Sequence, residues 1–165
     1  MKKILSLTLA LAMLGTTLTG CGSKDAATKI PAENTQQTAP VQQEQSQTEK
    51  ALALINTFAT GDTDTARSLL ADGYIQHNLA YGTGADAFID SVEYLASADV
   101  KTTVNNIRTF EDGDKVFLQT VYNFAGAGEQ VAFDIFRFDE NGKIAEHWDV
   151  METIADQSTW QNQNG

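Results

Sequence analysis

Apolar positions recur with helical spacing in the first half of the folded region and with alternating spacing in the second. Ala51, Leu52, Leu54, Ile55 and Phe58 follow the i, i+3, i+4, i+7 pattern, which predicts an amphipathic helix from near Glu49 that Gly61 ends. A short second helix is predicted over 63–71, with Asp62 as N-cap and Gly73 beyond its end. The stretch 74-YIQHN-78 shows no helical periodicity. The Gly-rich 82-GTG-84 then leads into a third helix whose face is Phe88, Val92 and Leu95, with Thr83 and Asp86 spaced as a capping box. From Val100 the period changes to two. Strands are predicted at about 100–110, 114–124, 129–138 and 143–151, separated by the turn compositions EDGD, AGAG and DENG. Helices first and an antiparallel meander second predict an α+β fold, three N-terminal helices covering one face of a curved sheet.

The N-terminus reads differently. Lys2 and Lys3 precede an apolar run from Ile4 to Leu14, too short for the roughly 20 residues of a membrane span but shaped as a secretory signal. The following 18-LTGC-21 resembles a bacterial lipobox, which implies cleavage before Cys21 and a lipid on its sulfur. The expected organisation is a signal at 1–20, the lipidated cysteine and a Gln/Thr-rich tether at 21–48, a domain at 49–152 and a polar tail at 153–165. The tether holds both prolines and almost no large apolar residue, so it cannot bury enough surface to offset its chain entropy. As a coil it spans roughly 30 Å. The domain is therefore expected outside the cytoplasmic membrane, attached only through Cys21.

Charge and cysteine count narrow the function. A formal net charge of -11 argues against a nucleic-acid partner, since phosphate contacts need Lys and Arg. Cys21 is the only cysteine, so no intrachain disulfide can form, and the chain has no CxxC and no Cys/His zinc spacing.

Candidate chemistry concentrates in the last predicted hairpin. Strand alternation puts His147, Asp149 and Met151 on one face and Trp148 and Val150 on the other. A two-residue Asn141-Gly142 turn pairs Glu140 with Lys143 and, counting back, sets Asp134 opposite Asp149 and Phe136 opposite His147. A slip of two residues would set Asp134 opposite His147; a bulge at Gly142 would turn Asp134 to the side of Trp148.

Two stretches, 74-YIQHNLAYGTGADAFIDSVEYL-95 and 131-VAFDIFRFDENGKIAEHWDV-150, resemble the SnoaL-like polyketide cyclases of the nuclear-transport-factor-2-like fold. Leu79 follows QHN where many members carry Pro. The resemblance implies a strongly curved antiparallel sheet forming a cone with an internal pocket. Asp134, His147 and Asp149 would then face a largely apolar interior, and His77 would stand at the mouth. It also implies acid–base chemistry without a cofactor, an aldol cyclisation or isomerisation of a small apolar or carbonyl-containing molecule. In it Asp149, with His147, moves the proton, and His77 or the other carboxyl steadies the oxygen. Tyr81, Tyr122, Phe136 and Trp148 are candidate ligand contacts, Trp148 alternatively packing at a homodimer interface. No metal is expected: a site of His77, His147 and one carboxylate is disfavoured because its ligands are spread along the chain and the family it resembles is mostly metal-free.

Structural roles remain open for the same residues. Asp149 pairing with Arg137, and His147 bonded to Asp134 as a core histidine, would leave a non-catalytic module that binds a small ligand or dimerises.

Overall fold

The computed structural model describes residues 44–164. Residues 1–43, which include the expected signal, Cys21 and most of the tether, lie outside the described residues. The elements are α1 (Gln47–Thr60), α2 (Thr63–Leu69), β1 (Leu70–Gln76), α3 (Ala85–Ser97), β2 (Thr103–Asp112), β3 (Lys115–Asn123), β4 (Glu129–Phe138) and β5 (Ile144–Thr153). A short 3-10 turn follows at Gln157–Thr159.

Local chemistry sets most of the boundaries. Helix α1 starts two residues before the expected Glu49, because Ser46 accepts from the Glu49 backbone while the Glu49 side chain accepts from the Ser46 backbone. This capping box satisfies two orphan donors of the first turn. Gly61 closes the helix in the left-handed region, at φ 74. The capping box expected at Thr83 and Asp86 does not form. Gly84 is the N-cap of α3 with no side-chain bond. The Thr83 hydroxyl instead accepts from the Gln76 backbone, and Asp86 pairs with Arg67.

The four predicted strands form the expected antiparallel meander, β2 to β5, and an unexpected fifth strand, β1, makes the sheet mixed. Its order is β1-β5-β4-β3-β2, and β1 runs parallel to β5. The sheet is thus mixed and open, with β1 and β2 as its edges. Strand β1 begins where the second helix was expected to continue. It escapes a periodicity reading because its register with β5 slips between Leu70 and Ile75, across Asp72 and Gly73. Strands β3 and β4, by contrast, alternate cleanly: Val116, Leu118, Thr120 and Tyr122 on β3, and Ala132, Asp134, Phe136 and Phe138 on β4, are all buried. These join Leu54 and Ile55 of α1, Leu69 of α2, and Phe88, Ile89 and Val92 of α3 in one core cluster.

The final hairpin reaches the expected register by a different route. The two-residue turn pairing Glu140 with Lys143 does not form. The Asp139 N–H donates to Lys143 O, so the chain turns through residues 140–142, with Gly142 at φ 68. That displaces the register by one, giving Phe138 opposite Ile144. An extra residue on β5, Ala145, then restores it, and Arg137 faces Glu146. The two displacements cancel. Asp134 lies opposite Asp149 and Phe136 opposite His147, as the count from the sequence predicts.

Candidate active site

Between the helices and the inner face of the sheet lies a cavity of about 510 Å³. Phe and Tyr side chains form much of its wall. Phe58 of α1 packs against Phe88 at 4.9 Å and edge-on against Phe124 at 5.8 Å, and Tyr122 stacks on Phe124 at 4.9 Å. The cavity surface also carries Asp134, His147 and Asp149. Strand alternation on β4 and β5 delivers all three to one face. Their side chains are 4–8 % exposed.

The hydrogen bonds around these groups have a fixed polarity, and two backbone donors set it. The Ala80 N–H donates to Asn78 Oδ1 at 3.0 Å, so the Asn78 Nδ2 end faces Asp149 and donates to its Oδ1 at 2.5 Å. The Asn78 N–H likewise donates to Gln76 Oε1 at 2.9 Å, so the Gln76 Nε2 end faces His147 Nδ1, also at 2.9 Å. An amide N–H pointing at Nδ1 requires a lone pair there. His147 therefore carries its proton on Nε2, which donates to Asp134 Oδ1 at 3.1 Å. Tyr122 Oη donates to Asp134 Oδ2 at 3.0 Å. Phe136 stacks on the imidazole at 4.2 Å and 15°, holding the ring plane.

The two carboxylates consequently differ. Both Asp134 oxygens accept from a donor. Asp149 has one oxygen held by Asn78, while the other lies 3.8 Å from His147 Nε2 and has no hydrogen-bond donor among the described residues. Asp149 is the group free to take a proton from a bound molecule, and Asp134 is the anchor that orients His147.

Sequence-level candidates separate accordingly. Asp134, His147 and Asp149 converge. Tyr81 reaches the cavity from the loop after β1 and is half exposed; burial and the Asp149 charge hold its phenol above the ordinary range. Tyr122 lines the cavity beside Asp134, whereas Phe136 backs His147 rather than facing the cavity. His77 is not at the mouth of the pocket. It stacks on Trp148 on the opposite face of the sheet, ring to ring at 4.2 Å and 3°, and its Nε2 bonds Glu146 at 2.8 Å. Glu146 also accepts from Arg137 Nε at 2.6 Å, and His77 together with Arg137 holds its carboxyl below the usual range. Arg137 thus pairs with Glu146 and not with Asp149. Trp148 lies in an outer groove with Phe110, Phe117 and Phe133, away from the cavity.

With His77 outside, a two-histidine metal site cannot assemble. The cluster that does form, Asp134, His147 and Asp149, has ligand atoms within 4.8 Å of one another. A cation there would need the Nε2 lone pair, and so the other His147 tautomer, whose Nδ1–H would oppose the Gln76 amide N–H. The donor set holds a proton where a metal would need a lone pair.

Among the residues that shape the site but were not candidates are Tyr74 and Gln76, which line the cavity, and Asn78, which bonds Asp149. Their signal was present in YIQHN. Read with period two, it places these three on one face and Ile75 and His77 on the other.

The buried phenols give a test in alkali. Burial, reinforced by Asp149 and Asp134, pushes Tyr74 well above the ordinary 10.0, and burial with the Asp134 charge does the same for Tyr122. In the unfolded chain these phenols ionise near 10.0; in the fold they stay protonated. Their contribution to stability is therefore fully present below pH 10.0 and is lost as pH rises toward the folded values. Urea midpoints should fall above that pH, and less steeply in Tyr74→Phe; equal slopes would contradict the assignment.

Residues 51–147, more than half of the chain, match the SnoaL-like domain family. The chain belongs to that family. Solved structures share its fold. One is a nuclear-transport-factor-2-like protein of unknown function from Cytophaga hutchinsonii, at 16 % identity and TM-score 0.57, covering 67 % of this chain and 94 % of that one. Another is IdmH, a candidate polyketide cyclase from Streptomyces antibioticus, at 18 % identity and TM-score 0.53, covering 66 % and 93 %. A third is an LEH-like epoxide hydrolase from M. tuberculosis, at 18 % identity and TM-score 0.54, covering 62 % and 80 %. At these identities the likeness concerns the fold, which hosts different chemistries. No curated protein matches the sequence.

Proposed function

We propose that the SnoaL-like domain performs cofactor-independent acid–base chemistry on a small, largely apolar carbonyl compound. The observation that carries this reading is the asymmetry of the buried carboxylates: Asp134 bonded at both oxygens, Asp149 with one oxygen without a donor, both in an aromatic-walled cavity. Asp149 takes a proton from the carbon beside the carbonyl. The resulting enolate either recovers a proton at another position, an isomerisation, or attacks a second carbonyl of the same molecule, an aldol cyclisation. His147, held by Asp134, Gln76 and Phe136, stands beside Asp149 as the second proton-bearing group. Apolar walls exclude water that would quench the carbanion.

Incubating the protein with α-tetralone in heavy water tests this. Its carbonyl-adjacent hydrogens should exchange faster than in buffer, followed by proton NMR. Binding without exchange would favour the second reading, a ligand-capturing module, which the predominantly apolar walls also suit.

Two further readings complete the proposal. The lipobox-like LTGC supports display on a lipid at Cys21 outside the cytoplasmic membrane. Retention of Cys21→Ser in the membrane fraction would contradict it. No described helix is long and apolar enough to cross a membrane. On the outer sheet face, Phe110, Phe117, Ile135 and Trp148 form one row across four strands, with Phe133 and Val150 opposite each other in the next, and most of these are exposed. Such a contiguous apolar patch supports self-association through the sheets. Sedimentation should show a dimer that Val150→Lys dissociates; a monomeric wild type would contradict it.

A further inference from the structure

An enolate-forming site needs a donor for the oxygen on which charge develops, and the side chain expected to supply it, His77, lies across the sheet. Four tyrosines with different commitments line the cavity, and Tyr94 is largely exposed to solvent. Tyr122 Oη is already donated to Asp134. Tyr81 is half exposed on a loop, where water competes for its hydroxyl. Tyr74 is 3 % exposed, lines the cavity, and its hydroxyl is buried without a hydrogen-bond partner among the described residues.

A buried hydroxyl with no partner is destabilising, so its retention calls for a reason. Tyr74 also feels the charges of both Asp149 and Asp134, which places its hydroxyl in the field of the proton-moving groups. It stays protonated across the neutral range, hence a donor. Its ring is fixed edge-on against Phe88 at 6.0 Å, on a strand rather than a loop.

We infer that Tyr74 is the residue that binds the carbonyl oxygen of the substrate, and that this substrate is an uncharged ketone. This rests on the acid–base reading of the same cavity. When Asp149 removes the carbon-bound proton, the carbon–hydrogen electron pair moves into the enolate, and the charge gathers on the oxygen facing the Tyr74 hydroxyl. The restriction to uncharged molecules comes from the lining. It contains Asp90, Asp134 and Asp149 and, among the described residues, no Lys or Arg, so a carboxylate or phosphate would enter with no counter-charge.

Matched probes separate the hydroxyl from the base. α-Tetralone and tetralin have the same bicyclic frame and differ in the ketone oxygen; tetralin carboxylate adds a negative charge. By calorimetry the wild type should prefer tetralone over tetralin by about tenfold, the scale of one hydrogen bond, and should bind the carboxylate weakest. Tyr74→Phe keeps the ring and should bind both uncharged probes equally, with the wild-type affinity for tetralin showing that the cavity is intact. Asp149→Asn should keep the preference for the ketone while losing exchange. If the preference survives in Tyr74→Phe, or the wild type shows none, the assignment of Tyr74 is overturned. Tight carboxylate binding overturns the restriction to uncharged molecules. A wild type that prefers the ketone but does not exchange its hydrogens overturns the base and leaves Tyr74 as a binding residue.

Discussion

Replacing Asp149 by Asn is expected to slow deuterium exchange of α-tetralone by about a hundred- to ten-thousand-fold, the range that a positioned general base contributes. The substitution keeps the shape of the side chain. Its carbonyl oxygen can still accept from Asn78, so the interlock that begins at the Ala80 N–H persists. What disappears is the oxygen without a donor, replaced by an N–H that cannot take a proton. Ligand binding should therefore survive while exchange does not. Loss of both together would mean that Asp149 holds the cavity open rather than acting in it. The comparison is made on purified variants, exchange by NMR and affinity by calorimetry.

Phe136→Ala is expected to lower folding stability by about 3–5 kcal/mol. The ring has no exposed surface and lies near the C-terminal end of β4, with Val116 facing it on β3 and His147 on β5. Truncation removes apolar contact and leaves a void that strands held in register on both sides cannot close. It also releases the imidazole that the phenyl ring holds at 4.2 Å. The thermal midpoint should drop by about 10–20 °C. Exchange activity should fall even below the midpoint, because His147 loses one of its three supports. A variant with a wild-type melting profile would show that the stack carries little of the stability.

Much of this arrangement was legible in the sequence, because strand alternation is a strict rule when one face is buried. His147 and Asp149 share a face on parity alone, and Asp134 joins them through the register of the hairpin. The register between them was obtained from a turn that does not exist, and it held only because the displacement at the turn is undone by Ala145. What was not legible was β1. Its pairing with β5 is parallel and interrupted at Asp72 and Gly73, so neither a turn nor an apolar period announces it. The family resemblance had set His77 at the pocket mouth, and without β1 no strand parity opposed that placement. The missing strand also hid Gln76 and Asn78, the amides that set the polarity of the site, and Tyr74, its unpartnered hydroxyl. Amide orientation depends on which backbone N–H groups lie within reach, and sequence spacing does not carry that information.

The central claim is that proton chemistry resides on the inner face of the sheet, with Asp149, and not with the outer histidine. Exchange of the carbonyl-adjacent hydrogens of α-tetralone in His77→Ala, measured beside Asp149→Asn, tests it most directly. The structure predicts the wild-type rate in His77→Ala, whose ring touches Trp148 and Glu146 outside the cavity, and the buffer rate in Asp149→Asn. Loss of exchange in His77→Ala, or its persistence in Asp149→Asn, would contradict it.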